Sequence, residues 1–448
     1  MKVFGSSGVR GVANGELDSR MATDVAAAAG TVFDASRVAV ARDTRTSGEM
    51  LSASVGSGLM SVGADVVDLG TLPTPALQAH CEREGIPGVM VTASHNPPEY
   101  NGIKLVGADG VELTRDRLDR VEAVMEAEAA RASWEAIGGR EPVDGVADEY
   151  VKTLAATLDR GSIVDADLTV AIDPGHGAAS ATSPRLFREL GCSVLTVNAQ
   201  PDGRFPGRNP EPVEANLAAL QRLVRTSDAD LGVAHDGDGD RAIFVDETGD
   251  FVEGDAALAA LAAAELEPGD AAVTAVNASQ RLVDVANAAG ADLHLTPIGS
   301  TYLITEIRRL QAEGAAVPFA GEGNGGIIFP DYRIARDGAY TAGRFCELVA
   351  SGPASEVVAD VDGYHNVRRN LPYTDQEERA AMLSAIERAA EAADADLDRT
   401  DGYRLDYGDG WVLARPSGTE PVIRVYAEAR DRERATKLAE RFTAAIRK

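Results

Sequence analysis

Three aspartates alternate with glycines along a short stretch of this chain. Asp236, Asp238 and Asp240 stand at positions i, i+2 and i+4, between two apolar segments with the composition of β-strands. Glycines bend such a loop enough for its carboxylates to converge on one hard cation. Without a cation, each close pair of carboxylates would repel by about 1 kcal/mol or more. The loop therefore predicts a site for a divalent metal ion.

Two other uses of this loop fit its residues less well. A calcium loop of the EF-hand type has a carboxylate at position 12, where Glu247 lies, but it needs glycine at position 6, where the chain has Arg241. The flanking segments also have the composition of strands, whereas an EF-hand needs two helices. The aspartyl nucleophile of a phosphatase would require threonine at the place of Asp240. A magnesium site fits better than either alternative.

A serine follows another apolar segment, at residues 88–91. Ser94 stands in the sequence Thr-Ala-Ser-His-Asn-Pro-Pro at 92–98, so we expect it at the carboxyl end of a strand, in a loop stiffened by proline. His95 is not an obvious base for Ser94, because adjacent residues of an extended chain point apart. The Gly-x-Ser-x-Gly sequence of serine hydrolases does not surround this serine. Taken alone, the segment is more typical of a solvated turn than of a nucleophile.

Two further loops carry groups suited to a sugar and to a phosphate. Residues 321–326 read Gly-Glu-Gly-Asn-Gly-Gly, in which Glu322 and Asn324 could bind two vicinal hydroxyls. Residues 415–421 read Arg-Pro-Ser-Gly-Thr-Glu-Pro and are followed by Arg424. Arginines, hydroxyls and the exposed N–H groups around a glycine form the kind of nest that binds phosphate. In so acidic a chain, this basic loop predicts an anion-binding site.

The composition argues against several classes of function. The 71 acidic residues exceed the 43 basic ones and give a formal charge of −28, which repels nucleic acid and anionic membranes. The sequence has no run of 18 uncharged apolar residues and no apolar signal segment at its start, so we expect a cytoplasmic protein without a membrane span. Three widely spaced cysteines indicate reduced thiols. The acidic surface also suggests adaptation to a salt-rich cytoplasm, where charge repulsion is screened.

One pattern of segments occurs three times along the chain. A strand-like segment is followed by a helical stretch, a glycine and a second strand-like segment, beginning at residues 38, 168 and 272. This order is typical of a βαβ crossover, so three copies predict three related α/β domains. The C-terminal part instead predicts a small α+β domain. Its expected antiparallel strands are 403–407, 411–415 and 422–427, and its expected helices are 375–400 and 431–447.

The four motifs, in this order and at these distances, resemble those of the α-D-phosphohexomutase superfamily, which includes phosphoglucomutases, phosphomannomutases and phosphoglucosamine mutases. The resemblance covers essentially the whole chain. It implies an α/β protein with three related α/β domains of mixed sheets and a small C-terminal α+β domain around a central cleft. The predicted domains are residues 1–144, 145–245, 246–361 and 362–448. The implied activity interconverts hexose 1-phosphate and 6-phosphate through a phosphoserine enzyme and a hexose 1,6-bisphosphate, which also serves as activator.

The resemblance also implies roles for individual residues. Ser94 matches the family's phosphoserine, and one of its oxygens would join Asp236, Asp238 and Asp240 in binding one Mg²⁺ per chain. The implied catalytic residues are Ser94, Lys104, which matches a lysine proposed to assist proton transfer, Arg10, which belongs to an N-terminal element at 6–11, and His95. The implied substrate-binding residues are Arg241, Gly299, Glu322, Asn324, Arg415, Ser417, Gly418, Thr419 and Arg424.

Two loops depart from the pattern of many bacterial members. Residues 324–326 read Asn-Gly-Gly in place of Ser-Gly-His, a form that looks archaeal, and Ser300 stands where many members have histidine or aspartate. Both loops would face the sugar, so glucose, mannose and glucosamine phosphates all remain candidate substrates. A small sugar phosphate is the expected partner, and the chain is expected to be a monomer or a homodimer. The alternative hypotheses are a non-catalytic sugar-phosphate sensor and a calcium-binding structural protein.

Overall fold

A computed structural model describes residues 4–5, 8–361, 363–417 and 421–446. The chain forms two compact units, one of Met1–Leu261 with Asn324–Asp360 and one of Ala262–Gly323 with Val361–Lys448. No helix in the described ranges has both the length and the apolar character needed to cross a bilayer.

The first sheet lies in the first unit and contains both parallel and antiparallel strands. Its segment of the chain consists of β1 Val9–Val12, α1 Ser19–Phe33, β2 Arg37–Arg42, α2 Gly48–Ser61, β3 Asp65–Thr71, α3 Thr74–Glu84, β4 Gly88–Val91, β5 Tyr100–Val106, α4 Arg115–Ala127 and β6 Arg140–Pro142. The strand order is β1-β5-β4-β2-β3-β6. The central strand β2 is parallel to β3 and β4, whereas β5 is antiparallel to β4 and to β1. β4 is buried along its whole length, as expected for a strand covered on both faces.

The second sheet, also in the first unit, repeats this plan. Its segment consists of α5 Val146–Ala155, α6 Arg160–Ala166, β7 Thr169–Asp173, α7 Ser183–Glu189, β8 Ser193–Thr196, α8 Ala218–Arg225, β9 Leu231–His235, β10 Ala242–Val245 and β11 Phe251–Val252. The strand order is β11-β10-β9-β7-β8, and β7 is parallel to both β8 and β9. β9 and β10 are antiparallel, so the aspartate-rich loop is the connection of a hairpin.

The third repeat is divided between the two units. Its segment consists of α9 Gly254–Glu265, β12 Ala271–Ala275, α10 Gln280–Ala289, β13 Asp292–Thr296, α11 Ser300–Ala312, β14 Phe319–Glu322, β15 Gly326–Phe329, β16 Arg333–Arg336, α12 Gly338–Val349 and α13 Ala354–Ala359. In the second unit β12 is parallel to β13 and β14. In the first unit β15 and β16 are antiparallel. β2, β7 and β12 thus each have two parallel neighbours, which confirms the predicted threefold repeat.

The C-terminal segment forms an antiparallel sheet in the second unit. It consists of β17 His365–Pro372, α14 Gln376–Glu391, β18 Asp396–Asp398, β19 Tyr403–Asp406, β20 Gly410–Pro416, β21 Val422–Ala429 and α15 Arg432–Ile446. The strand order is β17-β21-β20-β19-β18. The predicted strands, the final helix and the small α+β architecture are confirmed. The predicted boundaries between the four domains stay predictions.

The predicted helix 375–400 is wrong beyond residue 391. α14 ends at Glu391, and residues 396–398 pair with β19 as an edge strand. Asp394, Asp396 and Asp398 are poor helix formers, and the backbone groups of residues 396–398 are paired with β19 instead. β17 has no counterpart in the prediction.

The first sheet and its helices share an apolar core that gives a direct test of packing. Leu51 is fully buried in this core, together with Val25, Val40 and Leu59. We expect Leu51→Ala to lower the free energy of unfolding by about 2–5 kcal/mol, because it removes apolar contacts and leaves a cavity. The control Ile137→Ala, at a side chain that is 59% exposed, should change it by less than about 0.5 kcal/mol. Urea denaturation measures both, and equal effects would contradict this placement of Leu51.

Candidate active site

Ser94 lies just beyond the carboxyl end of β4, in a backbone conformation that is rare for a residue with a side chain. Its φ is +52°, in the left-handed region. The side chain is fully buried, and its Oγ donates a hydrogen bond of 2.6 Å to Oδ2 of Asp236. The serine of the first sheet is therefore in direct contact with the first aspartate of the loop on the second sheet.

The aspartate loop approaches the serine loop so closely that it needs a glycine there. A Cβ on Gly237 would lie 2.6 Å from the carbonyl oxygen of Ser94. Asp236, Asp238 and Asp240 are all buried, and each offers a carboxylate oxygen within 4.8 Å of the others. The three predicted ligands thus converge, at the place where the two loops meet.

Two cations contact the carboxylates of this loop. Lys104 on β5 donates 2.7 Å and 2.8 Å hydrogen bonds to Asp238 and Asp240 from a side chain that is 1% exposed. Arg336, at the end of β16, donates a 2.7 Å hydrogen bond to Asp240. Buried charges are tolerated when they are paired in this way. The loop is therefore held by side chains from two other strands.

The protonation of the three carboxyls differs because their partners differ. Burial and the negative charges of Asp238 and Asp240 raise the pKa of Asp236 to about 7. Burial also acts on Asp240, but the charges of Arg336 and Lys104 outweigh it and lower the pKa of that carboxyl. Burial would lower the pKa of Lys104, but the charges of Asp238 and Asp240 outweigh burial and raise it. Lys104 is therefore a cation, opposite carboxylates that stay ionised.

The donor atoms at the loop suit Mg²⁺. Asp238 Oδ1 and Asp240 Oδ1 are buried and accept no hydrogen bond from any residue that the structure describes. A buried carboxylate oxygen without a partner is costly, so a cation bound by these oxygens would relieve that cost. All the donors are oxygens, the ligand type that hard divalent cations prefer. The residues at the loop fit the predicted metal.

Three other predicted catalytic or binding residues surround Ser94. Arg10 on β1 donates a 2.8 Å hydrogen bond to the side-chain oxygen of Asn96. Arg241 Nε lies 3.8 Å from Asp236 Oδ2 and 3.9 Å from Asp240 Oδ1. His95 Nδ1 is 3.5 Å from the serine oxygen, and the charge of Arg241, burial and the charge of Arg10 lower its pKa well below the ordinary value. His95 is therefore a neutral imidazole. Residues 6 and 7 of the N-terminal element lie outside the described residues.

In the second unit, two of the predicted phosphate-binding residues lie on neighbouring strands. Arg415 on β20 is directly opposite Arg424 on β21. Two like charges at opposed positions repel, so an anion beside them would stabilise the pair. Asp401 Oδ2 lies 3.0 Å from Arg415 Nε and also accepts a 3.1 Å hydrogen bond from the backbone N–H of Ile298. Asp401 thus connects Arg415 to the loop before α11.

The remaining candidates are distributed over both units. Ser417 donates its backbone N–H to the carbonyl of Val422, and Gly418 and Thr419 lie outside the described residues. Gly299 precedes α11 with a φ of +133°, and Glu322 is buried at the end of β14. Asn324, in the first unit, is exposed, and its side-chain oxygen accepts a 2.9 Å hydrogen bond from the backbone of Gly326.

Sequence reasoning missed several residues that contact the predicted ones. Thr74 at the start of α3 donates a 2.6 Å hydrogen bond to Asp238. Arg45 contacts the backbone of the serine loop. Arg336 and Asp401 were missed as well. Only Arg45 had a usable signal, because it follows an aspartate at the end of a predicted strand.

Comparison with known proteins gives matches along nearly the whole chain. Models of the "Phosphoglucomutase/phosphomannomutase" alpha/beta/alpha domains I, II and III match residues 1–132, 148–249 and 253–364, and the model of the C-terminal domain matches residues 369–445. A "Phosphoglucomutase/phosphomannomutase" of Thermococcus kodakarensis is 41% identical over 98% of this chain and 97% of its own length. A "Probable phosphoglucosamine mutase" of Methanopyrus kandleri is 39% identical over 100% of this chain and 98% of its own.

The fold also matches a solved structure of similar length. The crystal structure of a phosphoglucomutase/phosphomannomutase family protein from Burkholderia thailandensis has a TM-score of 0.86 with this chain at 28% identity. The match covers 99% of this chain and 97% of that one.

Metal binding to the aspartate loop can be measured directly. We expect titration calorimetry to show one Mg²⁺ per chain and Asp238→Asn to weaken binding by at least about 100-fold, because one charged ligand is lost. The control Asp250→Asn removes the same charge from a side chain that is 74% exposed and should bind normally. Equal binding by wild type and Asp238→Asn would contradict the assignment.

Proposed function

The chain belongs to the phosphoglucomutase/phosphomannomutase family, and we propose that it interconverts hexose 1-phosphates and hexose 6-phosphates through a phosphoserine at Ser94. The matches confirm the family resemblance and the four-domain α/β fold predicted from the sequence. The observation that carries the proposal is the 2.6 Å hydrogen bond between Ser94 Oγ and Asp236, which joins the candidate phosphoryl carrier to the candidate metal loop.

The proposed reaction consists of two phosphoryl transfers, and the second restores the phosphoserine that the first consumes. In the first, the bond between phosphorus and Ser94 Oγ breaks and a bond forms to the free hydroxyl of the sugar phosphate, whose proton ends on the serine oxygen. The product is a hexose 1,6-bisphosphate. In the second transfer, the other phosphoryl group of this bisphosphate returns to Ser94, and a proton moves back to the sugar oxygen. The serine is thus phosphorylated at the start and end of each turnover.

The charged residues around Ser94 support this chemistry. Phosphoryl transfer depends chiefly on positioning and on neutralising the charge that develops on the phosphoryl oxygens. Mg²⁺ bound by Asp236, Asp238 and Asp240, with a phosphoserine oxygen, would polarise those oxygens. Lys104 and Arg241 would supply further positive charge beside them.

Arg10 and His95 have narrower proposed roles. Arg10 would help to hold the serine loop through its hydrogen bond to Asn96 and would add positive charge. Because His95 is neutral, it can accept a hydrogen bond at the serine or donate one to a phosphoryl oxygen. Lys104 is held by two carboxylates, and any part it takes in moving the sugar hydroxyl proton would begin from its charged form.

The substrate would be recognised at both of its ends. We assign the phosphate that does not react to Arg415, Ser417 and Arg424, together with Gly418 and Thr419, and the opposed arginines support this assignment. We assign the sugar hydroxyls to Glu322 and Asn324, with Gly299 at the neighbouring loop. Because the bisphosphate must present each phosphate to Ser94 in turn, the same arginines would bind either end of the sugar.

The preferred sugar is a matter for assay. The relatives are named for glucose, mannose and glucosamine phosphates, which differ at C2, so all three are the substrates to compare. We propose a small sugar phosphate as partner, without nucleic acid or membrane, and a monomer or a homodimer as the active form. The charge of −28 supports the absence of nucleic-acid and membrane partners. It also makes a comparison of the mutase activity at high and low salt informative.

Replacing the serine tests the phosphoryl carrier. Ser94→Ala should lower turnover by at least about 1,000-fold, because transfer through the enzyme is lost. The control Ser57→Ala, at an exposed serine of α2, should keep wild-type turnover. A coupled assay measures both, and intact-mass spectrometry should find one phosphoryl group on wild type and none on Ser94→Ala. Near-normal turnover of Ser94→Ala would exclude this carrier.

Replacing Arg415 tests the binding of the phosphate that does not react. Arg415→Ala should raise KM by at least about tenfold with a smaller change in kcat, because a binding contact is lost. The control Arg399→Ala removes a half-exposed arginine of the same domain that pairs with Glu391 and should leave KM unchanged. A loss confined to kcat would contradict the binding role.

A further inference from the structure

A buried arginine lies behind the serine loop. The side chain of Arg45 is 0% exposed, and its Nε donates a 3.0 Å hydrogen bond to Oδ2 of Asp43, which is equally buried. A buried ion pair contributes little stability of its own, because removing two charges from water costs about as much as their attraction gains. The position of this pair therefore calls for a reason other than stability.

The other donors of Arg45 are directed at the backbone of the serine loop. Its Nη2 donates to the carbonyls of Ser94 and Asn96 at 2.8 Å and 2.6 Å. Its Nη1 donates to the carbonyls of Pro97 and Tyr100 at 2.5 Å and 2.9 Å. A guanidinium has five N–H groups in a fixed fork, so the whole donor capacity of Arg45 is used by Asp43 and the loop.

Asp43 holds the amino side of the same serine. Its Oδ2 accepts a 2.6 Å hydrogen bond from the hydroxyl of Thr92, and the oxygen of that hydroxyl accepts a 2.9 Å bond from the backbone N–H of Ser94. The Asp43–Arg45 pair thus fixes both the N–H and the carbonyl of Ser94. A positive φ at a residue with a side chain is unfavourable and persists only where the surroundings enforce it. Here the ion pair enforces it.

The second sheet contains the same construction behind the metal loop. Asp173 ends β7 as Asp43 follows β2, and its carboxylate accepts a 3.0 Å hydrogen bond from Nε of Arg208. Nη2 of Arg208 donates a 2.6 Å hydrogen bond to the carbonyl of His235, the residue before Asp236. The Arg208 side chain is 2% exposed. Each of the two loops that meet at Ser94 is therefore held from behind by a buried aspartate–arginine pair.

We propose that Arg45 and Arg208 are positioning residues for phosphoryl transfer, an inference that rests on the function proposed above. Neither needs to touch the substrate: Arg45 orients the serine, and Arg208 orients the loop that binds the metal. In-line transfer is sensitive to such placement, since a displacement of about 1 Å can cost about 100-fold in rate.

Arg45 is tested with a conservative and a severe substitution. Arg45→Lys keeps a charge opposite Asp43 but loses the fork that reaches the loop carbonyls, and Arg45→Ala removes both. We expect kcat to fall by at least about tenfold in both variants, with KM within about threefold of wild type, because the substrate contacts are intact. Millimolar guanidinium should restore part of the kcat of Arg45→Ala, whereas equal concentrations of sodium or methylammonium chloride should not.

Arg115 provides the matched control. It lies in the same domain, pairs with Glu122 at 3.2 Å and donates to the carbonyl of Phe4 at 2.9 Å, but it does not contact the serine loop. Arg115→Lys and Arg115→Ala should keep wild-type kcat with or without guanidinium. If Arg45→Ala does not fold, Arg45→Lys decides the question. An unchanged kcat in Arg45→Lys would overturn the proposal for Arg45.

The effect on Mg²⁺ binding distinguishes the role of Arg208 from that of Arg45. Arg208→Lys should raise both the Mg²⁺ dissociation constant measured by titration calorimetry and the Mg²⁺ concentration for half-maximal activity by at least about threefold, because the loop of ligands is displaced. Arg45→Lys should change Mg²⁺ binding less than Arg208→Lys, because the three aspartate ligands keep their positions, and Arg115→Lys should leave it unchanged. An Mg²⁺ dependence equal to that of wild type in Arg208→Lys would overturn the proposal for Arg208. A wild-type protein without mutase activity would instead refute the proposed function.

Discussion

The mutual repulsion of three buried carboxylates is the constraint on which the rest of the first unit depends. Two unit charges 4 Å apart interact by about 4 kcal/mol at the effective dielectric constant typical of protein sites. Asp236, Asp238 and Asp240 would not stay together under such repulsion without cations beside them. Lys104 and Arg336 supply that charge in direct contact, and Arg241 adds to it from nearly 4 Å away. The loop therefore keeps its shape only where the chain brings these side chains to it.

These cations come from separate parts of the chain, which ties the fold to the site. Lys104 lies on β5 of the first sheet, Arg336 ends β16 of the third repeat, and the aspartates connect β9 to β10 of the second sheet. Three repeats of one βαβ plan thus contribute different groups to one place. A mutase needs such a site, because the phosphoryl group that moves between serine and sugar carries negative charge throughout the transfer. Asp238 and Asp240 bind Lys104 and would also bind the metal, so the charges of Lys104 and the metal ion would interact through the same two carboxylates.

Motifs made of neighbouring residues could be predicted from the sequence, whereas contacts between residues far apart in the chain could not. The metal loop could be read from its aspartate–glycine alternation at the end of an apolar strand, whereas the role of Ser94 came from the resemblance to the family, because its segment alone is typical of a solvated turn. The threefold repeat could also be predicted, because each copy is one continuous run of strand, helix, glycine and strand. Arg336 and Thr74 could not be found in this way, since their partners lie 96 and 164 positions away along the chain. Such contacts are set by how the sheets pack, and no local pattern encodes that packing.

The end of α14 shows a different limit. The stretch after Glu391 contains alanines, which favour a helix, and aspartates, which do not, so local propensity does not decide where the helix ends. The last residues of this stretch pair with β19, because an exposed sheet edge offers hydrogen bonds that an isolated helical end does not. Asp401, a few residues further on, would have been hard to single out among so many acidic residues.

The central claim is that the serine phosphate and the aspartate triplet bind one metal ion together. Its most direct test is an anomalous difference map from crystals of the Ser94-phosphorylated protein soaked with Mn²⁺, a substitute for Mg²⁺. The account predicts one strong peak, about 2.0–2.6 Å from oxygens of Asp236, Asp238, Asp240 and the phosphoserine. A peak away from this loop, or none there while Lys104 still contacts Asp238 and Asp240, would contradict it.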